Sequence, residues 1–177
     1  MLLLFFIISV LVCLSMLLFR SKKLTKTLMV GFAIMHIGLS IYSFTRLGIT
    51  ELGFFTYTGI GVLLLSVLSV LAIPVVYHGF IYTAGDDTRK FNIYHSSLAA
   101  LMTFMTGAYL ANGMTVLWAF VEATTLAVAL LIYHDRTAAA LEATWKYVFI
   151  CSAGIALAYL GILFLGFIYG REDAASL

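Results

Sequence analysis

Charge is what this chain has least of. Ten Lys and Arg and eight Asp and Glu in 177 residues make it 10% charged, against 63% hydrophobic, whereas a soluble domain carries charge on about a quarter of its residues. So few charges cannot make a water-facing surface, and a mean hydropathy of +1.10 identifies lipid as the solvent. The net charge of +2 and the scatter of basic residues among short loops give a polyanion nothing to grip, so no nucleic-acid partner is expected. Cysteine is scarcer still by count. Cys13 and Cys151 each lie within an apolar stretch and match neither a disulfide framework nor a paired metal-ligand spacing, so both read as small hydrophobes. With no cysteine cluster, no nucleotide-binding motif and no recognisable quinone site, the chain is expected to hold no cofactor, no metal and no redox or catalytic centre of its own. Proline occurs once, as Pro74 inside a long apolar run, where it removes one backbone hydrogen bond and predicts a kink.

What is present is hydrophobic sequence in bilayer-sized lengths. Polar breaks divide it into six spans, at 2–19, 24–44, 57–81, 91–111, 114–133 and 143–169, each near the roughly 20 residues that a helix needs to cross about 30 Å of hydrocarbon. The expectation is an all-α, polytopic six-helix bundle forming a single transmembrane domain over residues 1–177. The first span is apolar from its start and is followed by Arg20, Lys22, Lys23 and Lys26. That is the reverse of a cleavable signal, so it should remain as a helix. Residues 52–59 are rich in aromatics and suit either an interfacial segment or the start of the third helix. No repeat, low-complexity segment or soluble domain is visible.

Six spans place Arg20, Lys22, Lys23, Lys26, Arg89, Lys90, Arg136 and Lys146 on one side of the membrane and Arg46 and Arg171 on the other. This asymmetry predicts both termini outside a multi-pass protein of the cell (inner) membrane.

Glu122 is the residue most in need of a reason. It lies near the middle of the fifth span, which contains no other charge, and an ionisable group at mid-membrane marks a proton or ion pathway by default. The plainer reading is a protonated acid hydrogen-bonded to a neighbouring helix. Thr115, Trp118, Glu122, Thr125, Ala129 and Tyr133 share one face at helical spacing, and that face should pack on protein, with Trp118 and Thr125 flanking the carboxyl. Glu142 and Lys146 are spaced as a helical ion pair; Lys146 then either snorkels at the interface or joins a relay with Glu122. His78, His95 and His134 fall near the inner ends of their spans, where imidazoles could relay protons or simply hydrogen-bond headgroups and loops. His36 stands apart, in mid-span. Gly107 with Ala111, and Gly154 with Ala158, have the four-residue spacing of close helix packing.

Two motifs extend this reading. W-x-x-x-E-A-T-T-L runs from Trp118 to Leu126, and L-E-A-x-W-K-Y from Leu141 to Tyr147. Over residues 112–166 the chain resembles the antiporter-like membrane subunits of respiratory complex I, above all those of hydrogenase-4 and formate hydrogenlyase-type membrane-bound hydrogenases. Residues 59–111 are similar in pattern only, and the first two spans in hydropathy only.

The resemblance implies a membrane-arm subunit, or the N-terminal part of one, of a proton-translocating NADH:quinone oxidoreductase or related hydrogenase. Redox chemistry would then take place in partner subunits, and Glu122 would be the family's fifth-helix glutamate, which pairs with a seventh-helix lysine. Family members have about fourteen helices built as two inverted repeats. This chain ends at Leu177, so the expected partners include a chain supplying the missing helices; otherwise it is a fragment or a shortened form that no longer conducts. Lys146 belongs to the sixth-helix motif and is not that missing lysine. The rival readings are a non-conducting structural membrane subunit and a small independent ion transporter.

Overall fold

The structure, a computed structural model, describes residues 1–19 and 21–168. Arg20, Arg171 and the end of the sixth expected span at Tyr169 lie outside the described residues. Over the described residues the chain forms six α-helices: α1 (Leu2–Leu18), α2 (Lys22–Phe44), α3 (Gly59–Tyr82), α4 (Thr88–Leu110), α5 (Met114–Ile132) and α6 (Ala138–Ile168). A small hairpin, β1 (Thr50–Glu51) and β2 (Phe55–Thr56), joins α2 to α3. The all-α bundle expected from the hydropathy is the architecture observed.

Helix starts follow local chemistry. Each leaves unpaired N–H groups that a short polar side chain can accept. Thr58 Oγ1 accepts from Gly61 N at 3.1 Å, Asp87 Oδ2 from Arg89 N at 3.3 Å and Thr137 Oγ1 from Ala140 N at 3.0 Å. The Thr137 cap starts α6 at Ala138, five residues ahead of the expected span, so Glu142 and Lys146 already lie inside the helix. α3 runs unbroken through Pro74.

Among the described residues four helices are long and apolar enough to cross a membrane: α2, α3, α5 with its following turn, and α6. α1 is apolar but shorter, and α4 is not among them. The reason lies in packing. α4 is the central helix, set against α1, α2, α3 and α5, and it buries Asn92, His95, Ser96, Ser97, Thr103 and Thr106. Its polar side chains meet protein, so it tolerates a composition that lipid would penalise.

Close approach of α4 to its neighbours depends on two glycines. At Gly107 a side chain would run into the Phe120 ring of α5, and Gly61 of α3 lies directly against the Tyr109 carbonyl of α4. Gly154 behaves otherwise. Among the described residues nothing lies within 4 Å of the space a side chain would occupy there, and both Gly154 and Ala158 are exposed, so their spacing makes no helix contact among those residues. α6 packs mainly on α5, and Gly166 is its one buried residue among those described.

The hairpin turns at Leu52 and Gly53, both with left-handed backbone (φ 60° and 73°). It is pinned from two sides. Asn112 N donates to Phe54 O at 2.8 Å, and Glu51 Oε2 accepts from Leu2 N at 2.9 Å and from the Met1 ammonium at 3.2 Å. Phe55 also packs near Phe6 and Phe120, with centroids 5.4 and 5.7 Å away.

Candidate functional site

Glu122 sits nine residues into α5 and is half-buried, on the face directed at α6. Its Oε1 accepts from Ser152 Oγ at 3.3 Å across that interface. One turn earlier Trp118 holds the two helices together: Nε1 donates to the Ile155 carbonyl at 2.9 Å, and its ring lies 4.4 Å from that of Tyr159. Thr125 does not touch the carboxylate. Its hydroxyl folds back onto the Glu122 backbone carbonyl at 2.7 Å, as helical threonines commonly do. Among the described residues Glu122 is in no ion pair.

Lys146 is not brought to Glu122. Its ammonium pairs with Glu142 Oε1 at 2.5 Å, and both side chains are about two-thirds exposed, so this is a solvated i,i+4 pair of small energetic weight.

The three histidines expected near the inner ends gather around aromatic rings. His134, buried in the turn after α5, bonds Asp86 Oδ2 through Nε2 at 2.8 Å. Tyr82 and Tyr94 flank it, with centroids 5.6 and 5.0 Å away. Tyr94 is in turn 5.3 Å from His95. His95 is fully buried between Phe80 and Phe91, and its Nδ1 donates to the Phe91 carbonyl at 2.9 Å. Among the described residues its Nε2 has no hydrogen-bond partner, although a buried polar atom normally finds one. His78 is exposed and reaches the group only by stacking on Tyr82 at 6.2 Å. A cavity of about 330 Å³ opens beside His134, lined also by Arg89, Lys90, Ile93, Leu130, Tyr133 and Arg136.

Glu122 and this cluster are separate. Glu122 and His134 are twelve positions apart, about 18 Å at a helix's 1.5 Å rise per residue. Ser152, Asp86, Tyr82 and Tyr94 were not among the expected site residues, and each acquires its place only through contact between segments distant in sequence. Among the described residues no group of three or more His, Cys, Asp or Glu side chains gathers as a metal site would.

The chain is 40% identical over 78 residues to a hydrogenase-4 component F homolog from Methylacidiphilum infernorum (isolate V4), a match spanning 44% of this chain and 16% of that protein. No protein-family model matches the chain, and no solved structure matches it significantly. Several membrane-length apolar helices make this a membrane protein, and 44% of it is similar to a hydrogenase-4 component.

Proposed function

We propose that the chain is a membrane-arm subunit, or part of one, of a proton-translocating NADH:quinone oxidoreductase or a related membrane-bound hydrogenase. Electron transfer in partner subunits would drive proton movement through it. The observation that carries this reading is a half-buried carboxylate midway along α5 whose one side-chain hydrogen bond among the described residues comes from the neutral Ser152 hydroxyl. The similarity to a hydrogenase-4 component F homolog supports it.

The chemistry follows from how a carboxyl group responds to its surroundings. Approach of a cation favours the ionised form, and withdrawal of the cation in a dry site favours the protonated one. A basic residue supplied by a partner chain and moved toward and away from Glu122 would therefore release and reload one proton per cycle. Trp118 would keep α5 and α6 in register while this occurs, and Ser152 would donate to the charged form. His134, His95 and His78 would connect the inner surface to the interior, with Asp86 orienting His134.

Mild-detergent purification of the tagged chain from its native membrane tests the assignment. Recovery with redox subunits and further membrane subunits is expected. Recovery as a folded chain alone would contradict it and favour a structural or independent-transporter role.

A further inference from the structure

Three cations converge on the cavity beside His134. Arg89 and Lys90 come from the first turn of α4 and Arg136 from the chain just after α5. The apolar stretch of α5 and its turn ends at Asp135, so the cavity lies where the helix leaves hydrocarbon and meets lipid headgroups. Arg89 and Arg136 are exposed and Lys90 is half-buried. Among the described residues none of the three is in an ion pair. The carboxylates nearby are directed elsewhere: Asp86 is bonded by His134 at 2.8 Å, Asp87 caps the Arg89 N–H at 3.3 Å, and neither they nor Asp135 lines the cavity. Its rim is therefore basic.

The deeper wall has the opposite character. Ile93 follows Arg89 by four residues on α4, and Leu130 precedes His134 by four on α5. Each helix thus sets an aliphatic side chain one turn, about 5.4 Å, further into the membrane than its polar one. Leu130 is exposed and carries this apolar wall onto the outer surface of α5. Tyr133 also lines the cavity, and a tyrosine suits the boundary between headgroup and hydrocarbon. On the other side of Arg89 a second cavity of about 300 Å³ shares Ile93 with the first and reaches Leu17 of α1.

We propose that this pocket binds the phosphate headgroup of an anionic phospholipid, with Arg89, Lys90 and Arg136 on the phosphate and the start of an acyl chain against Ile93 and Leu130. The site is separate from Glu122 and does not rest on the role assigned to it. A free phosphate ion would match the rim but leave the aliphatic wall uncovered. A zwitterionic lipid would cover the wall but bring a cation of its own to three others. An anionic lipid satisfies both. The cavity, about 330 Å³, is at the small end of the roughly 300–1,000 Å³ typical of ligand sites, which suits a headgroup whose chains stay in the bilayer. Guanidinium groups bind phosphate through paired N–H donors, and the lysine adds a point charge. Because the cations come from two segments, a bound headgroup would tie the end of α5 to the start of α4, at the opposite end of the pair from the Gly107–Phe120 contact.

Native mass spectrometry and thermal unfolding of the full chain in mild detergent, titrated with phosphatidylglycerol, phosphatidylcholine or inorganic phosphate, test this. Phosphatidylglycerol should bind saturably and raise the unfolding midpoint, and neither phosphatidylcholine nor inorganic phosphate should displace it. Arg89→Gln, Lys90→Gln and Arg136→Gln should each weaken its binding about fivefold, the effect of one basic residue at an anionic surface. Lys23→Gln, which removes an exposed cation from the start of α2, should leave the affinity unchanged. Equal binding of phosphatidylcholine would overturn the proposal, as would displacement by inorganic phosphate, which would mark a site for the free anion. Equal losses in the Lys23 variant and the three cavity variants would overturn it too. If a variant fails to fold, the lipid selectivity of the unmodified chain decides.

Discussion

Replacing Gly107 with alanine should drive a methyl group into the Phe120 ring, because the space at Gly107 is already occupied by that ring's edge. Phe120 has little room to yield. It is stacked on Phe6 at 5.8 Å and meets Phe55 edge-on at 5.7 Å. Overpacking of this kind costs about 1–3 kcal/mol, while exchanging glycine for alanine within a helix returns about 0.8–1.0 kcal/mol. The net expectation is a loss of about 1 kcal/mol, or about 2–4 °C in unfolding midpoint for a chain of this size. Thermal unfolding in lipid nanodiscs reads the shift. Gly61→Ala should cost more, since there the methyl group meets the Tyr109 backbone carbonyl rather than a side chain. Gly161→Ala, with nothing within 4 Å, should be neutral or stabilising. In a Phe120→Ala background the Gly107→Ala penalty should vanish, a coupling of about 1 kcal/mol or more between touching residues. Equal midpoints for the Gly107 and Gly161 variants, with or without the ring, would refute the claim that this contact sets the α4–α5 approach.

Three further outcomes follow from the fold. Asn92 Nδ2 donates to the Phe19 carbonyl at 2.7 Å while its Oδ1 accepts from the buried Thr25 hydroxyl at 2.8 Å, so Asn92→Ala should cost about 1 kcal/mol by removing both bonds, read as a lower unfolding midpoint; Asn92→Asp, which keeps only the acceptor, should fall between. At Glu51 burial pushes the carboxyl pKa up, but the Leu2 N–H and the Met1 ammonium outweigh it and hold it below the ordinary carboxylate value. Its stabilisation is thus complete above the ordinary carboxylate range and lost as pH falls through the depressed value, and the Glu51→Gln variant should lose this acid-limb dependence in pH-dependent unfolding. A cysteine at Thr88 should resist an impermeant thiol reagent applied outside intact cells, since the basic loops are expected inside; ready labelling would reverse the orientation.

The helices were legible because hydropathy reports burial in lipid directly, and their caps at Asp87 and Thr137 are local chemistry. The hairpin was not. Its strands are two residues each, too short for any alternation, and Leu52 adopts a left-handed conformation that a leucine does not advertise. The i,i+4 pairing of Glu142 with Lys146 could be read from spacing alone, whereas Ser152 opposite Glu122 and Asp86 opposite His134 are 30 and 48 positions away in sequence, and only the fold brings them together. The same holds for His36, whose ring nitrogens meet Ser69 and Thr106, 33 and 70 positions distant. Gly154 shows the converse: a small-residue pattern states what could pack closely, and among the described residues nothing fills the space there.

The central claim is that Glu122 carries protons, and its most direct test is the number of protons pumped per electron in sealed vesicles containing the assembled complex at equal subunit content. Glu122→Gln keeps the side chain's shape and its capacity to accept from Ser152 but removes its titration. Assembly should persist while the ratio falls, with Glu122→Asp between the two because it keeps the charge and loses reach. An unchanged ratio in the Gln variant would contradict the account and leave Glu122 as a hydrogen-bonding tie between α5 and α6.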